Sequence, residues 1–93
     1  MNKKEAKQLL DSKIKELRAR SYQQICRLLD KQETLEVKGQ SGTVYQLEAQ
    51  AFWDDKRKQN LRVMVSIDDR GLHAFVPMSE DFIISLDGSF VGE

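Results

Sequence analysis

The sequence has little of several residue types on which catalytic and metal sites depend. It contains one cysteine, Cys26, which excludes an intramolecular disulfide and a zinc site with several cysteines. Its one histidine, His73, has no second histidine beside it for a zinc set and no recognisable Ser-His-Asp arrangement. The GxxxxGKS, GxGxxG, HExxH and CxxC motifs do not occur. The sequence therefore predicts no catalytic residue, no metal site and no cofactor.

Long apolar runs are also missing. No stretch approaches the ~18 apolar residues of a transmembrane helix, and no basic-then-apolar leader marks a signal peptide. We therefore expect a cytoplasmic protein that does not associate with membranes. Its 93 residues, 40% of them hydrophobic, suffice for one domain with a modest core. A large buried active-site cavity is not expected in so short a chain.

The net charge is zero, but the charges are unevenly distributed along the chain. Residues 1–31 contain nine Lys or Arg against four Asp or Glu, which gives a net charge of +5. Residues 32–93 contain six against eleven, which gives −5. The basic part could bind nucleic acid or another acidic surface. We favour the alternative, in which the two parts attract each other within one fold.

Helical periodicity extends from residue 2 to residue 30, where apolar or small residues recur at spacings of three and four. Ser21 interrupts this stripe, and Gln24 follows three residues later, as in a capping box. The pattern predicts either one kinked helix or two helices, at about 3–19 and 22–31. Cys26 lies within the second helix, where we interpret it as a buried structural thiol.

After Gln32 the pattern changes to the alternation that is typical of strands. A glycine-rich turn at 39–42 suits a hairpin, and Pro77 is expected to end the last strand because it has no amide proton. Beyond Pro77 we expect a short helical turn at 77–81, capped by Ser79, and an apolar tail that packs on the core. The four strands are predicted at 34–38, 43–53, 61–67 and 72–76.

The predicted fold class is α+β, within a single domain spanning residues 1–93. A kinked helix or helical hairpin (1–31) packs on one face of a four-stranded antiparallel meander (34–76). The opposite face is polar and solvated. A C-terminal turn and packed tail (77–93) complete the domain.

Two Asp-Asp pairs raise the question of a shared site. In a meander, Asp54–Asp55 and Asp68–Asp69 lie at opposite ends of a strand that spans on the order of 20 Å. Carboxylates that share a metal ion or a substrate lie much closer together than that, within ~10 Å. We therefore interpret Asp68 and Asp69 as turn residues only.

The segment from Trp53 to Lys58 is the most notable candidate surface. Asp54 and Asp55 precede Lys56, Arg57 and Lys58, so opposite charges can screen each other in an exposed loop. Alternatively, the three cations grip phosphates while Trp53 stacks on a base. The meander also places Glu80 and Asp81 at the same end of the sheet as Asp54 and Asp55. The predicted interaction surface comprises Trp53, Asp54, Asp55, Lys56, Arg57, Lys58, Glu80 and Asp81.

Several segments together resemble a family of short, uncharacterised bacterial proteins, a domain of unknown function. They are SGTVYQLEAQAFWDD, LRVMVSIDDRGLHAFVP, DFI and DGSFVGE, within residues 41–93. The resemblance implies no established activity, so it transfers no catalytic residue. In the family pattern, two glycines, a tryptophan and an arginine commonly follow IDD. Arg70, Leu72 and His73 depart from it, so a recognition surface there would have a different specificity.

Three functions follow from these patterns. The first is a small non-enzymatic interaction or regulatory module, such as an accessory protein or an immunity-type inhibitor, whose partner is another protein. The second is a nucleic-acid-binding module that uses the basic helical region and the Lys56–Lys58 loop. The third is a metal-dependent hydrolase built on Asp54, Asp55, Glu80 and Asp81. We favour the first, as a monomer or a homodimer.

Overall fold

The computed structural model describes residues 2–69 and 78–93, which form two helices and one antiparallel sheet. The α+β fold class predicted from the sequence is confirmed. The strands follow the order β1-β2-β3-β4, so each strand pairs with its neighbour in sequence. The elements are α1 (Lys3–Arg18), α2 (Tyr22–Asp30), β1 (Glu33–Lys38), β2 (Val44–Trp53), β3 (Leu61–Asp68) and β4 (Met78–Ile84).

A capping box separates the two helices. The Ser21 hydroxyl accepts a hydrogen bond from the Gln24 amide at 3.2 Å, and the Gln24 side chain accepts one from the Ser21 amide at 2.9 Å. These bonds satisfy amides that have no partner within the helix. Of the two predicted alternatives, the structure has two separate helices, which end and begin on either side of Ser21. No helix within residues 2–69 and 78–93 has the length and apolar character needed to cross a membrane.

The first three strands lie within one residue of their predicted bounds, and the hairpin turn forms where it was expected. The Gly39 amide donates to the Thr43 carbonyl at 2.8 Å, which closes the turn between β1 and β2. Gly42 has a φ of +90°, a conformation that glycine adopts without steric cost. The glycine-rich sequence of this turn thus matches its backbone.

The fourth strand differs from the prediction. The predicted strand at 72–76, together with His73, lies outside the described residues. The helical turn expected at 77–81 is wrong, because Met78–Ile84 is a strand that pairs with β3. Residues 78, 80, 82 and 84 of β4 face the helices. Because residue 80 is a glutamate, the alternation of apolar and polar residues was not apparent in the sequence.

The core lies between the helices and one face of the sheet. Helix α1 crosses β3 and β4, whereas α2 lies over β2. Three ion pairs join the basic helices to acidic residues of the second part: Lys7–Glu80, Lys13–Glu33 at 2.9 Å and Arg18–Glu93 at 2.6 Å. They confirm the expected attraction between the two parts. The buried apolar residues are Ala6, Leu10, Leu17, Ile25, Leu28, Tyr45, Leu47, Ala49, Ala51, Leu61, Val63, Val65, Ile67, Phe82 and Ile84.

Candidate interaction surface

The sheet face opposite the helices combines apolar side chains with one arginine. Register pairs Phe52 with Arg62 and Arg62 with Ile83, so these three lie in one row across β2, β3 and β4. Met64 and Asp81 form part of the next row. Phe52 is 39% exposed. We call these five residues the Arg62 patch; it lies at the end of the sheet nearest the 54–60 loop.

Two carboxylates hold the guanidinium of Arg62. Its Nη1 donates to Asp81 Oδ2 at 2.5 Å, and its Nε donates to Asp54 Oδ1 at 2.9 Å. These hydrogen bonds, the one to Asp81 first, raise the pKa of Arg62 above its already high ordinary value. The side chain nevertheless keeps 39% of its surface exposed. Arg62 is therefore both oriented and accessible.

Asp55 closes the loop that follows β2. Its Oδ1 accepts hydrogen bonds from the amides of Asn60, at 3.0 Å, and Gln59, at 2.9 Å. These two bonds lower the pKa of Asp55 below its ordinary value. Tyr22 of α2 donates its hydroxyl to the Gln59 carbonyl at 2.9 Å and so attaches the loop to the helix layer. Asp55 thus has a structural role that the sequence did not indicate.

The cations of this loop point to solvent. Lys56, Arg57 and Lys58 are exposed, and no described residue forms an ion pair with them. Lys58 has a φ of +57°, in the left-handed region. Trp53 is 38% exposed at the end of β2, but strand alternation directs it away from the face that carries Phe52. The predicted surface residues 53–58 are therefore divided between two faces and a loop.

The four carboxylates of the hydrolase hypothesis do not form one site. Asp54 and Asp81 share Arg62, whereas Asp55 binds loop amides. Glu80 faces the helix layer and pairs with Lys7 of α1, since neighbouring residues of a strand point to opposite faces. Among residues 2–69 and 78–93 no cluster of three or more His, Cys, Asp or Glu side chains could hold a metal ion. Of the four predicted residues, Asp54 and Asp81 are thus brought together by Arg62, whereas Asp55 and Glu80 are not.

The second Asp-Asp pair lies where the sequence placed it. Asp68 is the last residue of β3 and pairs with Gln46. Leu61, the first residue of β3, pairs with Trp53, which directly precedes Asp54. The two Asp-Asp pairs are thus at opposite ends of β3, as predicted. The turn residues 70 and 71 lie outside the described residues.

Cys26 lies beside an apolar groove. The groove, about 700 Å³, runs between α2 and residues 86–88, and Tyr22, Cys26 and Leu86 contribute to its lining. Burial raises the pKa of the Cys26 thiol above its ordinary value, so the thiol is held in its protonated, less nucleophilic form. Cys26 is partly buried and packs against the core, whereas the sequence predicted a buried thiol.

Comparisons of the chain with protein-family models, curated proteins and solved structures gave no significant match. The resemblance to the short bacterial family therefore stays a prediction, and the geometry of the described residues carries the functional argument.

Proposed function

We propose that this protein is a small non-enzymatic interaction module that binds another protein through the Arg62 patch. The observation that carries the proposal is the position of Arg62, which two carboxylates fix between Phe52 and Ile83 on a sheet face that no described residue covers. Arginine, aromatic residues and methionine are enriched in protein interfaces. A side chain that is already oriented loses less conformational entropy on binding.

The charge of this face indicates the chemistry of the partner. Arg62 and the two carboxylates that bind it, those of Asp54 and Asp81, together have a net charge of −1. Electrostatic complementarity therefore favours a partner with basic residues around a central apolar contact. We place this interaction in the cytoplasm, where a single free thiol remains reduced.

Site-specific photocrosslinking tests this proposal. We would incorporate benzoylphenylalanine in place of Phe52 and, as a matched control, in place of the exposed Lys4 of α1, and irradiate each protein in a lysate of its source organism. We expect a discrete crosslinked product only from position 52. Arg62→Lys should reduce that product, because lysine keeps the charge but lacks the planar guanidinium group and its several hydrogen-bond donors. Equal labelling from positions 4 and 52, or a product unaffected by Arg62→Lys, would contradict the proposal.

Nucleic-acid binding is a second candidate, favoured by the exposed cations Lys56, Arg57 and Lys58. Fluorescence anisotropy with short single- and double-stranded probes, at about 50 and 200 mM salt, tests it through counterion release. Tight binding that weakens steeply with salt, and that Lys56→Ala with Arg57→Ala removes, would put this function first. Salt-independent or absent binding would leave the protein-binding proposal alone.

A further inference from the structure

A groove of about 520 Å³ lies between helix α2 and the start of β1. Its volume is within the range of small-molecule sites, roughly 300–1,000 Å³. Gln24, Arg27 and Leu28 line it, and their spacing of three and four residues places them on one face of α2. Lys31 also lines the groove, one turn beyond Arg27, because its amide donates to the Arg27 carbonyl at 3.2 Å. The groove therefore combines two cationic side chains with an apolar one.

The charges at one side of the groove balance one another. Arg20 pairs with Glu16 at 2.7 Å and with Glu33 at 3.2 Å. Lys13 pairs with the same two carboxylates, at 3.2 Å and 2.9 Å respectively. Two cations and two carboxylates thus form a cluster with no net charge. Glu33, the acidic residue that lines the groove, is already compensated and does not repel an anion there.

Arg27 and Lys31 add positive charge that this cluster does not use. Both side chains are exposed, and neither forms an ion pair within residues 2–69 and 78–93. Asp30, the acidic residue of α2, is not among the residues that line the groove. The C-terminal end of a helix contributes about half a negative charge. That is much less than the charge of the two cations, so the groove attracts anions.

The remaining lining residues suit an organic ligand better than a bare ion. Leu28 is 6% exposed and contributes apolar surface. Gln24, Gln32 and Thr34 contribute side chains that both donate and accept hydrogen bonds. Small-molecule sites typically combine apolar surface with a few polar groups that orient the ligand. The groove has this combination beside its two cations.

We propose that the groove binds a small phosphomonoester, with its phosphate held by Arg27 and Lys31 and its organic part against Leu28. A phosphomonoester carries about −1.5 to −2 charges at pH 7, which matches the two cations, whereas a monocarboxylate carries half as much. Arginine offers paired donors to phosphate oxygens, and lysine binds phosphate as a point charge. The groove lies on the helix side of the sheet, so this site is independent of the Arg62 patch.

Titration of the full chain with phenyl phosphate, followed by amide chemical shifts in NMR spectra, tests this proposal. We expect saturable shifts that are confined to the groove, at residues 24–34. Inorganic phosphate lacks the ring and should bind at least about threefold more weakly, because it buries no apolar surface. Benzyl alcohol has a ring but no charge and should cause no saturable shift. Equal affinity for phenyl phosphate and inorganic phosphate would overturn the assignment of an organic ligand.

A pair of charge-removing variants locates the site. Arg27→Ala with Lys31→Ala should weaken phenyl phosphate binding by at least about tenfold, because both phosphate contacts are lost. The matched control is Lys4→Ala with Lys15→Ala, which removes the same charge from exposed residues of α1. It should change binding by no more than about twofold, since distant charges are screened by salt. Circular dichroism should stay unchanged in both variants. Equal losses in the two variants would overturn the proposal.

A polymer is the other source of phosphate groups, and a second titrant distinguishes it. The probe is single-stranded oligothymidylate of about ten nucleotides, which carries phosphodiesters only. We expect it to cause smaller shifts at residues 24–34 than phenyl phosphate does at the same phosphate concentration. Tighter binding of the oligonucleotide there would identify nucleic acid as the ligand and overturn the proposal. Phenyl phosphate shifts of equal size and affinity at the exposed Lys56–Lys58 loop would also overturn it, because charge alone would then explain the binding.

Discussion

The two helices lie in the same layer, but their charged residues serve different purposes. Helix α1 is attached to the sheet near both ends: Glu5 accepts hydrogen bonds from Ser41 and Tyr45, and Arg18 pairs with Glu93. Arg18 also lies over the Phe90 ring, 4.6 Å from its centroid. In α2, by contrast, Arg27 points to an open groove. The difference indicates that charged residues of α1 help to stabilise the fold, whereas Arg27 of α2 remains exposed to solvent.

The largest expected effect comes from removing a buried side chain of α1. Leu17 is fully buried, so Leu17→Ala should lower the free energy of unfolding by about 2–5 kcal/mol. Urea unfolding followed by circular dichroism and Trp53 fluorescence measures it. The control is Leu86→Ala, at a residue that is 65% exposed, where we expect less than about 0.5 kcal/mol. A similarly small loss for Leu17→Ala would show that α1 is not part of the core.

Near its N-terminus, α1 contacts the turn between β1 and β2. A substitution in that turn should disrupt the contact. A Cβ added at Gly39 would lie 2.4 Å from a carboxylate oxygen of Glu5, which three hydrogen bonds hold in place. Gly39→Ala should therefore cost about 1–3 kcal/mol in the wild type, as overpacking does. In a Glu5→Ala background the same substitution should cost much less, because the contacted atoms are gone. Equal costs in both backgrounds, measured by urea unfolding, would contradict this explanation.

The attachments of α1 should also weaken in acid. Hydrogen bonds from Ser41 lower the pKa of Glu5, and the hydrogen bond from Arg18 lowers the pKa of Glu93, both from 4.5. Because the folded-state pKa values are the lower ones, their stabilisation is present above about pH 4.5. It is lost as the pH falls through the folded-state values. Glu5→Gln with Glu93→Gln should therefore flatten the fall of the urea midpoint between about pH 5 and pH 3. An unchanged slope would show that other groups cause the acid sensitivity.

The smallest expected effect is in α2. Arg27→Ala with Lys31→Ala removes two exposed cations that pair with no described residue, so the free energy of unfolding should change by less than about 0.5 kcal/mol. Urea unfolding at about 50 and 200 mM salt measures this. A loss above about 1 kcal/mol would mean that these cations stabilise the fold, as those of α1 do.

Local sequence signals predicted the parts of the fold that depend on neighbouring residues. The Ser21–Gln24 capping box and the glycine turn at 39–42 are local, and both are confirmed. The strand Met78–Ile84 was missed because Glu80 occupies a position that faces the helices. Its partner Lys7 is 73 residues away, so no local pattern could reveal why a charge is tolerated there.

The candidate site was only partly predictable for the same reason. Alternation placed Arg62 and Met64 on the outer face, but Phe52 and Ile83 join them only through the register of three strands. The groove lined by Arg27, Lys31 and Thr34 likewise requires the end of α2 to lie near the start of β1, and that position depends on tertiary packing. The charge distribution along the sequence showed that the second helix carries cations, but it could not show that the start of β1 lies near them.

The meander order has a consequence for how the protein folds. Every described strand pairs with its sequence neighbour, whereas the Arg18–Glu93 contact joins residues 75 positions apart. Contacts between distant residues form late when loop closure limits the rate. We therefore expect α1 to dock after the transition state. Leu10→Ala should then mainly accelerate unfolding, whereas Leu47→Ala in β2 should mainly slow folding. Stopped-flow kinetics in urea would separate the two, and a slower folding rate for Leu10→Ala would place α1 in the nucleus instead.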